Sequence, residues 1–211
     1  MSYLKYFALC LIVSFSAACV QAPDADKSNA EAPKELKAAN GAIAQPLDLN
    51  ASKLSFVGTK PTGRHTGEIP IQSGNILLKD GKLTGGKFVL DLTNVKITDL
   101  QGEMAEKLAG HLMSEDFFNS EKHPKATFVI TSVTPLNSKL NKYNVAGNLT
   151  VKDVTKSVTF AANVTDQTNF KANANFNIDR TQWGMNYGND RSLGDKFINP
   201  IVNIGLTIVA K

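Results

Sequence analysis

The sequence predicts an all-β domain of antiparallel strands, and three observations carry the prediction. Apolar residues recur at every second position from Leu47 onward. The clearest run is Phe170-Ala172-Ala174-Phe176-Ile178, set against Asn169, Lys171, Asn173, Asn175, Asn177 and Asp179. A period of two sends one set to a buried face and the other to water. Short turn signals separate the runs: Asp80-Gly81, Asn137-Ser138, Lys152-Asp153 and Asp166-Gln167. Consecutive strands joined by short turns pair antiparallel.

The first residues read as an address. Lys5 precedes an apolar run, Phe7 to Phe15, that falls short of the ~20 residues a membrane-spanning helix needs. Ser16-Ala17-Ala18 then leads into Cys19, an arrangement that resembles a bacterial lipoprotein signal. It predicts a signal peptide over 1–18, cleavage before Cys19 and lipid on the Cys19 thiol. Ser16 stands where such signals usually carry Leu. The alternative is an ordinary secretory signal cut near Ala18 or Ala22, which releases a free periplasmic protein. Cys10 belongs to the apolar run, so the body has no cysteine and is held by burial alone. Residues 19–45 are rich in Ala, Asp, Lys, Asn and Pro and are expected to form a disordered tether, with at most a transient helical turn over Lys34 to Ala39. Val20 follows the cysteine where an Asp would signal retention at the inner membrane. The expected location is therefore the periplasmic face of the outer membrane.

In the body, Leu54 and Phe56 open the alternation. Ile76 and Leu78 follow, then Phe88, Leu90 and Leu92, then Phe128 and Ile130, then Val158 and Phe160, then the run from Phe170. These make about eight strand segments. One helix interrupts them, capped by Thr98 or Asp99 and running through Met104, Leu108 and Leu112 to cover one end of the sheet. Ser114 is expected to cap a second short turn that carries Phe117-Phe118. Strands with one apolar face each bury it in a closed barrel or in a two-sheet sandwich. A transmembrane barrel would turn that face to lipid between aromatic girdles. With one Trp and four Tyr the chain lacks such girdles, so the apolar face is placed inside.

Two segments carry a family resemblance. GHLMSEDFFNSEKHPKATFVITSV, from Gly110 to Val133, runs from a helix end through Phe117-Phe118 and His123-Pro124 into a strand. GNLTVKDVTKSVTFAANV, from Gly147 to Val164, reads as a hairpin turning at Lys152-Asp153. Together they closely resemble the YceI-like family of lipid-binding β-barrels, which is lipocalin-like in shape. The resemblance implies a closed, antiparallel, eight-stranded barrel over 46–211 with a short helical insertion. It also implies a carrier for a long apolar molecule and no enzymatic function.

An eight-stranded barrel is either filled by side chains or holds one small ligand. Ala172 and Ala174 between two phenylalanines leave volume at the waist, or else fit facing aromatics such as Phe88 or Phe160. The resemblance favours the hollow form, enclosing an isoprenoid or fatty chain. The expected walls are Phe88, Leu90, Phe117, Phe118, Phe128, Ile130, Phe160, Phe170, Ala172, Ala174 and Phe176. The segment from Asp179 to Asn199 is the candidate gate, since Gly184, Gly188 and Gly194 give it backbone freedom. There Trp183 and Tyr187 can line a mouth, and Arg180 or Arg191 can meet a phosphate or carboxylate headgroup. The bland alternative has Trp183 plugging the barrel end and Arg180 paired to Asp179 or Asp195.

Other chemistry is not called for. The net charge of +4 is spread without the dense basic stripe that nucleic acid requires. His65, His111 and His123 show no metal-type spacing, and His111 suits a helix end. The sequence contains no nucleophile elbow, P-loop or dinucleotide fingerprint. Neither a cofactor nor a metal is expected, and the only membrane partner is the bilayer that receives the Cys19 lipid.

Overall fold

The computed structural model describes residues 20–36, 41–136 and 141–211. The signal segment, Cys19, the Asn137-Ser138 turn and the end of the Lys34 to Ala39 stretch lie outside them.

The chain runs β1 (Asp26–Lys27), β2 (Ile43–Pro46), β3 (Lys53–Lys60), β4 (Gly63–Glu68), β5 (Ile71–Lys79), β6 (Lys82–Asp91), β7 (Lys96–Ile97), α1 (Gly102–Met113), β8 (Lys125–Pro135), β9 (Lys142–Val151), β10 (Val154–Asp166), β11 (Lys171–Asp179) and β12 (Ile201–Val209). The all-β expectation holds, with mostly antiparallel strands and one short helix. The closed eight-stranded barrel does not. The strands form one twelve-stranded sheet in the order β2-β5-β6-β8-β9-β10-β11-β12-β3-β4-β7, with β1 on β11. It curls strongly into a half-barrel around the apolar core.

The miscount has local causes. β4 reads GRHTGE, with no apolar face to betray it, and exists because it pairs along β3 from Ser55↔Glu68 to Lys60↔Gly63. β1 and β2 fall in the stretch expected as a tether. The ends of the path are also too short to build a closing ladder. β7 has two residues, and the β2 end meets the end of β12 through one isolated bridge, Leu47↔Ala210.

Hairpin geometry follows the turn residues. Asp80 (φ 51) and Gly81 (φ 72) both take the left-handed backbone that a two-residue turn between twisted strands needs. Lys152 (φ 49) and Asp153 (φ 61) do the same between β9 and β10. Gly147 serves the core instead. A Cβ there would lie 2.5 Å from Cε2 of Phe128 and 2.8 Å from the Val129 carbonyl oxygen. The bare backbone thus lets the Phe128 ring lie across β9.

The helix starts differently from the expectation. Its N-cap is Gln101, which makes no side-chain cap bond. Asp99 instead accepts from the Thr66 backbone N–H (2.8 Å) and meets the His65 ring (2.9 Å), tying the chain before α1 to β4. Ser114 caps the end of α1, its hydroxyl donating to the His111 carbonyl (2.8 Å). Its own carbonyl accepts from Phe117 and Asn119, which folds the turn that carries Phe117-Phe118.

Candidate ligand cavity

The half-barrel encloses a cavity of about 430 Å³, within the 300–1,000 Å³ range of small-molecule sites. The interior is therefore not filled. Every wall residue expected from the sequence borders it, as do Trp183 and Arg180 of the expected mouth, while Tyr187 and Arg191 do not.

One wall is a row of aromatic rings. Phe88 stands 6.2 Å from Phe128, Phe128 stands 5.7 Å from Phe160, and Phe160 stacks on Phe176 at 4.2 Å. Their strands β6, β8, β10 and β11 present them to the interior at period two. Beside them Phe170, Ala172 and Ala174 continue the β11 face, with Leu90 and Ile130 on β6 and β8. Ala172 and Ala174 are half-buried because their methyl groups leave the volume in front of them open. The wall continues past β11 through Ile204 and Leu206 of β12, the cross-strand partners of Phe176 and Ala174, to Leu54 and Phe56 of β3. The sequence expectation named neither pair as site residues, although period-two alternation marks both.

One end is covered by α1 and the turn after it. Leu108, Leu112, Phe117 and Phe118 border the cavity there, while Met104 of the same helix face is exposed. His111 does more than end the helix. Its Nε2 lies 3.0 Å from the Asp116 carboxylate, and its ring meets the rings of Phe117 (5.1 Å) and Tyr187 (4.9 Å) edge-on. It thereby joins α1 to the segment after β11.

The segment expected to form the mouth is built differently. Trp183 is buried, and its Nε1–H donates to the Leu149 carbonyl (3.1 Å). Tyr187 is exposed and touches the rim through His111 and Phe117. Gly184, Gly188 and Gly194 all have positive φ, so the glycines are used for conformation.

Arg180 does not wait for a headgroup. It is 4% exposed and donates from Nη2 to the carbonyls of Tyr187 (2.8 Å) and Ile198 (3.0 Å), from Nε to Asn199 (3.4 Å) and from Nη1 to Met185. Its guanidinium sits 5.4 Å from the centre of the Phe117 ring. Burial pulls its pKa below the ordinary arginine value, while neighbouring Asp179 opposes that shift. Carbonyl dipoles and an aromatic face hold the charge, with no carboxylate within ion-pair distance among the described residues. The Asp179 carboxylate is taken by Thr181. Arg191 lies away from the cavity, over the Phe197 ring at 5.6 Å. The headgroup role expected for the two arginines is thus unsupported by their geometry. The polar atom left over at this end is Thr59 Oγ1, which is buried, borders the cavity and has no hydrogen-bond partner among the described residues.

No group of three or more His, Cys, Asp or Glu gathers among the described residues in a way that would hold a metal ion.

This architecture has known counterparts. The chain resembles BcnA of Burkholderia cenocepacia, with a TM-score of 0.65 at 24% identity over 78% of this chain and 99% of that one. It also resembles a polyisoprenoid-binding domain from Saccharophagus degradans implicated in plant cell wall breakdown, with a TM-score of 0.57 at 16% identity over 79% and 97% of the two chains. At these identities the likeness establishes the fold. In sequence, it is 41% identical over 82 residues to a UPF0312 protein of Photorhabdus laumondii, which is 35% of this chain and 41% of that protein. It is 40% identical over 79 residues to Protein YceI of Escherichia coli O157:H7, which is 36% of this chain and 39% of that protein. The chain thus covers about two fifths of the length of these curated relatives. The YceI-like domain model, in contrast, matches residues 46–210, nearly the whole body. The chain belongs to the YceI-like domain family.

Proposed function

We propose that this protein binds a long-chain isoprenoid or fatty amphiphile inside the half-barrel and carries or scavenges it in the bacterial cell envelope. The observation that carries the reading is the cavity of about 430 Å³, walled by Phe, Leu, Ile and Ala side chains from the inner face of the curled sheet. Each methylene moved from water into such a wall gains ~0.8 kcal/mol. A tail burying about a dozen gains ~10 kcal/mol before ordering costs, enough for micromolar binding or better. The wall offers few hydrogen-bonding groups, so it selects for length and apolarity more than for detailed chemistry.

The polyisoprenoid-binding description of the Saccharophagus degradans domain supports the ligand class. The lipoprotein-like signal around Cys19 supports anchoring at the periplasmic face of the outer membrane, with free periplasmic release as the alternative.

The test is organic extraction of the purified full-length chain, with mass spectrometry of the extract. The reading expects one apolar molecule per protein, with the same head group and chain class from independent preparations. A clean extract, with no uptake on incubation with isoprenoid and fatty lipids, contradicts it.

A further inference from the structure

The wall between β10 and β11 is only half laddered. Their pairing runs from Asp166↔Lys171 to Ala162↔Ala174. β10 nevertheless extends back to Val154, and β11 extends on to Asp179. Beyond the last pair the two strands part. Each then presents main-chain groups that need partners.

The N-terminal segment supplies those partners. Asp26-Lys27 lies parallel to Phe176-Asn177. The Ser28 N–H donates to the Asn177 carbonyl (2.8 Å), and the Ser28 hydroxyl accepts from the Thr159 N–H (3.1 Å). Glu31 and Ser157 exchange two backbone hydrogen bonds (2.9 and 3.0 Å). The Asn177 amide holds the carbonyls of Pro23 (3.0 Å) and Ala25 (3.3 Å). At the far end the Asn148 amide clasps Lys34 in both directions, at 2.9 and 2.7 Å. Ser28 is buried, and Ala30 packs against the core. A segment composed as a tether is thus set edgewise into the wall.

On the inner side of the same slot stand Phe160 and Phe176, which stack across it and border the cavity. No residue of the strap does. The slot is therefore closed in two layers, a strap outside and a pair of rings inside.

The strap is lightly held. Of its residues only Ser28 is buried, Ala30 is half-buried, and it hangs on scattered hydrogen bonds instead of a ladder. Such segments open at a small fraction of the global unfolding free energy. We infer that residues Pro23 to Lys34 form a removable strand that closes a lateral entrance between β10 and β11. When the strap lifts, the Phe160 and Phe176 rings part and an apolar chain passes sideways into the cavity. The inference rests on the proposed ligand cavity.

The test uses the full chain in a Cys10→Ser, Cys19→Ser background and the apolar fluorophore N-phenyl-1-naphthylamine. Ser28→Ala with Asn148→Ala loosens the strap without touching the cavity. Glu31→Cys with Ser157→Cys locks it, because directly opposed residues that share two hydrogen bonds stand ~5.5 Å apart at Cα, within disulfide reach. In stopped flow, the loosened variant is expected to bind and release the probe about fivefold faster or more, with Kd changed less than about twofold, since each hydrogen bond lost shifts the opening equilibrium by about that factor. The oxidised lock slows both rates, and reduction restores them. Equal rates in wild-type, loosened and locked protein would overturn the lateral entrance and leave the cavity standing. A probe that enters none of the three would overturn both.

Discussion

The rings of Phe160 and Phe176 lie face to face, 4.2 Å apart and 3° from parallel, where β10 and β11 have ceased to pair. Ring contact thus joins the two strands on the cavity side at the level where backbone bonds do not. Phe176→Ala should lower stability by ~3 kcal/mol in urea unfolding, near the low end for a buried phenylalanine because the ring already borders open volume. Phe176→Leu should cost less than half as much. An Ala variant as stable as wild type would show that the stack holds nothing.

Arg180 gathers the carbonyls of Met185, Tyr187, Ile198 and Asn199 into one cluster. Arg180→Met leaves those acceptors without their donor and should destabilise the protein by more than ~2 kcal/mol. Affinities for a neutral and an anionic lipid of equal chain length should fall together. A loss confined to the anionic lipid would restore the headgroup role. Arg191→Gln should change neither affinity.

The Asp99 carboxylate has a pKa below its ordinary value. Partial burial works against ionisation, but the Thr66 N–H and the His65 ring outweigh it. A folded value below the unfolded one contributes stability above the unfolded value of ~3.9, and that contribution is lost as pH falls through the folded value. The stability gap between wild type and Asp99→Asn should therefore be larger at pH 5 than at pH 3. Equal gaps in urea unfolding at the two pH values would contradict the assignment.

Where side chains alternate, the fold could be read. The β11 face from Phe170 to Ile178 was visible as a period of two, and that same period placed Phe88, Phe128 and Phe160 on the cavity wall. β4 could not be read, because GRHTGE has no apolar residue and takes its strand form from β3. The strap was illegible for a related reason. Its polar composition predicts a tether, and what fixes it is the open edge of two strands more than a hundred residues away. Arg180 borders the cavity, but its role was not legible. Its partners are main-chain carbonyls, set by the path of a glycine-punctuated loop and by no side-chain pattern.

The proposed ligand lies in the open waist in front of Ala172 and Ala174. Native mass spectrometry of wild type and Ala174→Phe, prepared side by side and incubated with the same isoprenoid and fatty lipids, tests it most directly. One apolar adduct is expected on the wild type and its loss from Ala174→Phe, whose ring fills the waist at a cost of ~1–3 kcal/mol in stability. An adduct of equal mass and occupancy on both proteins, or none on the wild type, would contradict it.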